Sequence, residues 1–210
     1  MKKIGIILYL LFILMGFTGF IGGALITMGV VNYDKEVPLG DITGVVVDNK
    51  GHIFVGLGFY GMVQEYDTDG VFVKNWRVSA SGGTFNIDLT KDQKILISTA
   101  RGSKQILYDQ NGKEVSKKSI SNTYSKTSRA GSTFVTQQGE TYKIEGVLFP
   151  SIVKSSPDRK VIVEQSLILQ LMKGPFPALL IVTLGMGLNF LLRKDQIIAQ
   201  AEKYRALVSR

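Results

Sequence analysis

Residues 43–76 read TGVVVDNKGHIFVGLGFYGMVQEYDTDGVFVKNW, and a shift of 42 positions finds the same pattern again without a gap. Val45 falls on Ile87, Val47 on Leu89, Ile53 on Ile95 and Val55 on Ile97. Tyr66-Asp67 falls on Tyr108-Asp109, and Asp69-Gly70 on Asn111-Gly112. Within the first unit, β-type stretches at 43–47, 52–57, 62–66 and 71–76 alternate with turn-forming runs. Those runs include Asp48-Asn49-Lys50-Gly51 and Asp67-Thr68-Asp69-Gly70. About ten residues per strand and turn predicts an antiparallel all-β meander, and little of this region has the three-four apolar spacing of a helix.

Further along, the pattern weakens. A third unit is expected over 124–149, where 133–136 and 141–144 flank Gln137-Gln138-Gly139-Glu140. A partial unit follows over 150–166, with Ile152-Val153, the turn Ser155-Ser156-Pro157-Asp158 and the stretch 160–163 echoing 87–97. Four strands in a period of about 40–50 residues is the arithmetic of a propeller blade. From Asp41 to Lys118, covering units 41–82 and 83–118, the chain resembles the NHL and related six-bladed propeller repeats. In those repeats apolar-x-apolar-Asp is followed by a turn glycine, an apolar strand and a Tyr/Phe-Asp-x-x-Gly hairpin. The resemblance implies blade architecture and says little about ligand. A closed propeller needs about four to eight blades. The stretch 32–173 has 142 residues, about three and a half such periods. An open stack exposes strand edges and blade faces. Completion by a second copy, six blades in a dimer, is therefore the expected arrangement.

Two uncharged apolar runs bracket the repeats: residues 4–31, 28 long, and residues 174–192, 19 long. Each suffices to cross about 30 Å of hydrocarbon as a helix. Lys2 and Lys3 precede the first run, and Arg193 and Lys194 follow the second. Positive flanks stay on the cytoplasmic side, so both termini are expected inside and 32–173 outside. That long segment holds 18 basic and 15 acidic residues, and long segments are translocated largely regardless of charge. The net charge of +8 therefore reflects topology and demands no nucleic-acid partner. Met-Lys-Lys followed by an apolar stretch also opens like a secretory signal. The apolar character runs on through Val31 without a good Ala-x-Ala ending, which favours an uncleaved anchor. With no cysteine, disulfides, thiolate metal sites and thiol catalysis are excluded. The missing cysteines and missing Asn-x-Ser/Thr acceptor suit a bacterial surface.

Motifs with chemical meaning are few. His52 is the only histidine and is expected at a solvent-facing strand start, without a Ser-Asp partnership in sequence. The Asp67-x-Asp69-Gly70 and Asp109-x-Asn111-Gly112 runs invite a calcium reading, but position twelve from Asp67 is Val78. Hairpin chemistry of type I′ is the simpler reading. Gly56-x-Gly58-x-x-Gly61 spells a dinucleotide fingerprint but lies between two strands, where no helix follows to meet a pyrophosphate. The stretch 116–132, with Lys117, Lys118, Lys126 and Arg129, is expected to be a basic loop. In the first apolar run, Gly16, Gly19 and Gly23 lie on one helical face, suited to close helix–helix packing. Pro175 and Pro177 suit the first turn of the second helix and leave Lys173 at the outer interface. A helix beginning near Leu167 would instead put Lys173 inside the membrane. In the tail, Ile197, Ala201, Tyr204 and Val208 share one face of an amphipathic helix, with Lys203 and Arg205 elsewhere.

The expected fold class is thus an α+β membrane protein: two transmembrane helices flanking an all-β extracytoplasmic domain of four-stranded antiparallel blades. The boundaries are 1–31, 32–173, 174–192 and a basic tail over 193–210. The expected function is a non-enzymatic binding or assembly module in the plasma membrane, with no catalytic residue, cofactor or metal. Lys2, Lys3, Lys173, Arg193, Lys194, Lys203 and Arg205 would meet membrane lipid. Partners would be lipid and either further copies or other membrane subunits. A sensor or accessory subunit of a transporter or secretion complex is the alternative. A propeller hydrolase using Asp48, Asp67 or Asp88 is a distant third.

Overall fold

A single turn design recurs through the β region. In the computed structural model the Asp48 carboxylate accepts the N–H groups of Lys50 and His52, both at 2.9 Å, and Gly51 closes the turn at φ +86°. Asp67 repeats this with Asp69, Val71 and Gly70, and Asp109 with Asn111, Lys113 and Gly112. Thr90 and Thr136 use hydroxyls in place of the carboxylate, and the fourth residue is again left-handed, at Gln93 and Gly139. Positive φ falls at the fourth residue and not at Asp69 or Asn111. The sequence-based expectation of type I′ turns is thereby corrected. These are side-chain-bridged turns whose last residue is left-handed, because a carboxylate or hydroxyl at the first position satisfies the N–H groups ahead of it.

The structure describes all residues except 1, 32, 81–83, 121–132, 137–138, 147–148, 157, 174–178, 192, 195–197 and 199–210. Twelve strands appear among them. The first sheet is β1 (Ile42–Val47), β2 (Ile53–Leu57), β3 (Met62–Tyr66) and β4 (Phe72–Arg77). The second is β5 (Phe85–Leu89), β6 (Ile95–Thr99), β7 (Lys104–Tyr108) and β8 (Glu114–Ser119). The third is β9 (Thr133–Val135), β10 (Thr141–Glu145), β11 (Ser151–Ser156) and β12 (Lys160–Val163). Each is a four-stranded antiparallel meander, and the three stand in a propeller-like arrangement.

Two details differ from the sequence reading. The units placed at 124–149 and 150–166 are one sheet, because Gly146 at φ +85° turns β10 into β11 and pairs Glu145 with Ser151. The strands around Asp158 are therefore the third and fourth of that sheet, not an echo of 87–97. Three sheets replace three and a half units.

Packing follows from side-chain alternation. Phe54 and Val63 of the first sheet join Phe85, Ile87, Ile95, Ile97, Ile106 and Tyr108 in one core. Val45, Val47, Ile53, Val55, Leu57, Met62 and Tyr66 turn the other way, onto Tyr142, Ile152 and Val163 of the third sheet. The first sheet is thus covered on both sides, and β2 and β3 are buried at every residue. At roughly 1.5–3 kcal/mol per buried large apolar side chain, these two interfaces dominate the stability of the domain. The end faces are different. Where the first sheet presents Gly44, Val46, Gly56 and Val63 to its neighbour, the second sheet carries Asn86, Asp88, Ser98 and Gln105 outward, and β8 is exposed throughout. The third sheet turns Thr133, Val135, Thr141 and Lys143 outward, and on the same face Val153, fully buried, pairs with Lys143 and Val161. The far face of the second sheet is thus polar and that of the third is mixed.

Glycines mediate the sheet-to-sheet contact. A Cβ on Gly112 would stand 2.6 Å from two atoms of the Trp76 ring, and one on Gly70 would meet the backbone of Ile162. The third–fourth turn of one sheet thus rests on the outermost strand of its neighbour, twice over.

Helix α1 (Lys2–Thr27) carries the first apolar run, and Tyr9–Thr27 is long and apolar enough to cross a membrane. A short helix precedes the second apolar run. α2 (Leu167–Lys173) begins after Ser166, whose hydroxyl accepts the N–H of Leu169 at 3.3 Å as a cap. α3 (Leu179–Leu191) follows the undescribed residues 174–178, which include Pro175 and Pro177. A second membrane-crossing helix is not shown by length alone.

Gly112→Ala tests the glycine contact. It forces a side chain into a left-handed residue and against the indole, at a cost of roughly 1–3 kcal/mol. A urea midpoint lowered to match is the expected result, whereas Gly40→Ala, which has open space, leaves it within experimental scatter.

Candidate functional site

The innermost strands β1, β5 and β9 converge on a cleft of about 380 Å³. Its walls are residues 43–47, 87–89 and 133–136, with Tyr142. A cavity lying on one face of a strand meets every second residue. This one meets consecutive residues on all three strands, so it runs along their edges. Each of the three is the terminal strand of its sheet, bonded on one side only.

The ladder shows which backbone groups face the cleft. Asp48, Thr90 and Thr136 donate their N–H groups across the hairpins to His52, Lys94 and Glu140 at 3.0, 2.9 and 2.8 Å. Antiparallel pairing alternates from there. The N–H and C=O groups of Val45, Val47, Ile87, Leu89, Thr133 and Val135 therefore point away from their own sheets. The Thr43 hydroxyl on the cleft wall is buried and, among the described residues, has no hydrogen-bond partner. Asp88 is exposed as a residue, yet partial burial of its carboxyl raises its pKa above the ordinary carboxylate range. Tyr142 is held protonated, pushed up to about 12 by burial first and by the nearby Glu140 second.

A second cluster joins the β domain to the helices. Gln64 on β3 accepts the N–H of Val37 at 2.6 Å and donates to its C=O at 3.0 Å. Gln165, just before α2, accepts the N–H of Leu39 at 2.7 Å and donates to Glu36 and Val37. The Tyr66 hydroxyl sits between both amides and donates to Glu36. Burial, then Glu36, raises its pKa well above the usual phenol range. Arg77 at the end of β4 donates to the carbonyls of Ile26 and Thr27, capping the orphan C=O groups of α1 with a cation. Ile26 is itself part of the core shared by the first and third sheets. The segment entering the domain, the segment leaving it and the end of α1 are thus bound together.

The residues expected from sequence fall as follows. Gly16, Gly19 and Gly23 are buried along one face of α1. A helix contact that the sequence reading missed lies at Gly185 of α3, whose Cβ would stand 3.1 Å from Phe12. Arg193 and Lys194 are exposed. The side chains of Lys2, Lys3 and Lys173 lie outside the described residues, as do Lys203, Arg205 and the tail face around them. Asp48 and Asp67 have their carboxylates committed to turns, and Asp48 also accepts from Gln110 at 3.1 Å. His52 has a partner invisible in sequence: its Nδ1 lies 2.9 Å from Glu65, which Lys74 approaches at 3.2 Å. The third sheet has its own pair at the matching hairpin, Glu140 with Lys154, so this is cross-strand pairing repeated between sheets. Among the described residues no group of three His, Cys, Asp or Glu could hold a metal ion.

No protein-family model and no curated protein matches this chain. Among solved structures, virginiamycin B lyase from Staphylococcus aureus is similar at 13% identity and a TM-score of 0.36, over 61% of this chain and 43% of that one. The β-propeller domain of Myceliophteria thermophila Cps50 (Swd1) is similar at 18% identity and a TM-score of 0.32, over 61% and 41%. A protein of unknown function from Bacteroides caccae gives 13% identity and a TM-score of 0.32, over 58% and 48%. The chain spans less than half the length of each. At TM-scores in that range, the propeller-like description rests on this chain's own sheets.

Gln165→Leu tests the joint. It leaves the buried N–H of Leu39 without an acceptor, at a cost of roughly 1–3 kcal/mol. Asn75→Ala removes an exposed bond to Lys35 and is expected to change stability little when both are compared by thermal melting in detergent.

Proposed function

We propose that this chain is a membrane-anchored binding protein whose extracytoplasmic β domain receives its ligand in the cleft between β1, β5 and β9. The observation that carries the reading is the convergence of three strand edges with unbonded backbone groups on one cleft. Both apolar segments cross the membrane, with the termini cytoplasmic and 32–173 outside. The anchor reading of α1 is supported by Ile26 and the Arg77 cap, which build its end into the domain; cleavage as a signal would remove part of the core. The second passage is supported by the contact of Gly185 with Phe12 and by the outward Leu180, Leu184, Phe190 and Leu191 of α3. Membrane lipid is then the surrounding medium, and assembly with further copies or other subunits proceeds through the helices, where Gly16, Gly19 and Gly23 line one face of α1.

A second reading, a sensor or accessory subunit, is favoured by one observation. The glutamine network ties the entering and leaving strands to β3, so a ligand-driven shift of the first sheet reaches both membrane segments together.

The absence of native cysteine makes topology directly measurable. Asp69→Cys, on an exposed turn, is expected to react with a membrane-impermeant maleimide in intact cells. Lys194→Cys is expected to react only after permeabilisation. Labelling of both from outside, or of neither, contradicts the two-passage arrangement.

A further inference from the structure

The cleft has the wrong lining for a compact ligand held by side chains and the right lining for another backbone. Six residues on three strands, Val45, Val47, Ile87, Leu89, Thr133 and Val135, turn N–H and C=O groups toward it. Among the described residues none of these groups has a backbone partner. Free strand edges are templates for an added strand. β1 lies along β5 and meets β9 much less extensively, so the accessible edge is that of β9, where Val135 is 70% exposed. At about 3.3 Å per extended residue, 133–136 offers about 13 Å of edge, enough for some four residues of an incoming chain. Asp88 stands on the cleft wall, and no side-chain hydrogen bond or ion pair occupies its carboxylate among the described residues. The buried Thr43 hydroxyl supplies a further unused polar group.

We propose that the cleft takes an extended peptide segment of a partner protein, which adds as a strand to the free edge of β9 and sets a basic side chain against Asp88. This rests on the binding reading of the same cleft. Affinity comes from backbone hydrogen bonds and selectivity from the carboxylate. The apolar side chains of Phe134 and Tyr142 belong to the β9–β10 pair and fix the edge in place.

The test uses the full chain in detergent micelles and a displayed library of random heptapeptides. An enriched heptapeptide, labelled with fluorescein, is the probe, and its affinity is read by anisotropy. Val135→Pro deletes one outward N–H on an exposed edge strand and leaves the Phe134–Tyr142 pairing in place. Its expected effect is at least tenfold weaker binding with an unchanged melting temperature. N-methylation of alternate peptide residues tests the same bonds without touching the protein: one alternating set abolishes binding and the other does not. Asp88→Asn weakens binding, and enriched sequences carry Lys or Arg. Binding that survives Val135→Pro and both methylated sets but is lost on Asp88→Asn overturns strand addition and leaves the cleft a site for ligands of another kind. Binding indifferent to all of these changes overturns the cleft reading too. Failure of any heptapeptide to enrich overturns the peptide proposal alone.

Discussion

The first sheet has two apolar faces, and the rest of the β domain depends on covering both. A sheet with Val45, Val47, Ile53 and Val55 on one side and Phe54 and Val63 on the other is insoluble alone. The second sheet, next in sequence, takes one face. The third crosses to the opposite one, so the spatial order differs from the chain order. Because all three sheets lead with their innermost strand, their free edges meet, and the cleft is a consequence of the packing.

The same constraint explains the joint with the helices. The third sheet covers the first around β1 and β2, and the irregular segment arriving from α1 completes the cover with Val37 and Leu39. A backbone crossing an apolar face must satisfy its own N–H and C=O groups. Gln64 and Gln165 do so with side-chain amides, which present a donor and an acceptor together as a neighbouring strand would. Arg77 does the corresponding work for the end of α1. The three devices hold the backbone next to α1 and α2 against the domain without a continuous sheet.

Much of this was legible in the sequence and some was not. The 42-residue shift located the first two sheets, since nearly equal strands and equal turns leave no gap between the units. The Asp-x-x-Gly turns were visible as residues but misassigned in type, because one side chain decides whether the third position also needs positive φ. The third sheet reads as two units because β9 and β12 are short, and its first turn opens on Thr136 without an aspartate. The polar far face of the second sheet could be read by setting Asn86, Asp88 and Ser98 beneath Gly44, Val46 and Gly56. The Gln64–Gln165 network had no signal: the residues are far apart in the chain, and no spacing rule links two amides to a strand that neither belongs to.

Hydrogen exchange of the full chain in detergent, followed peptide by peptide, tests the central claim that the doubly covered first sheet is the element on which the others rest. Residues 53–66 should be the last to exchange, after the second and third sheets. Exchange of 53–66 at or before the rate of the end sheets would contradict it, and the domain would then be three independent hairpin units without a shared centre.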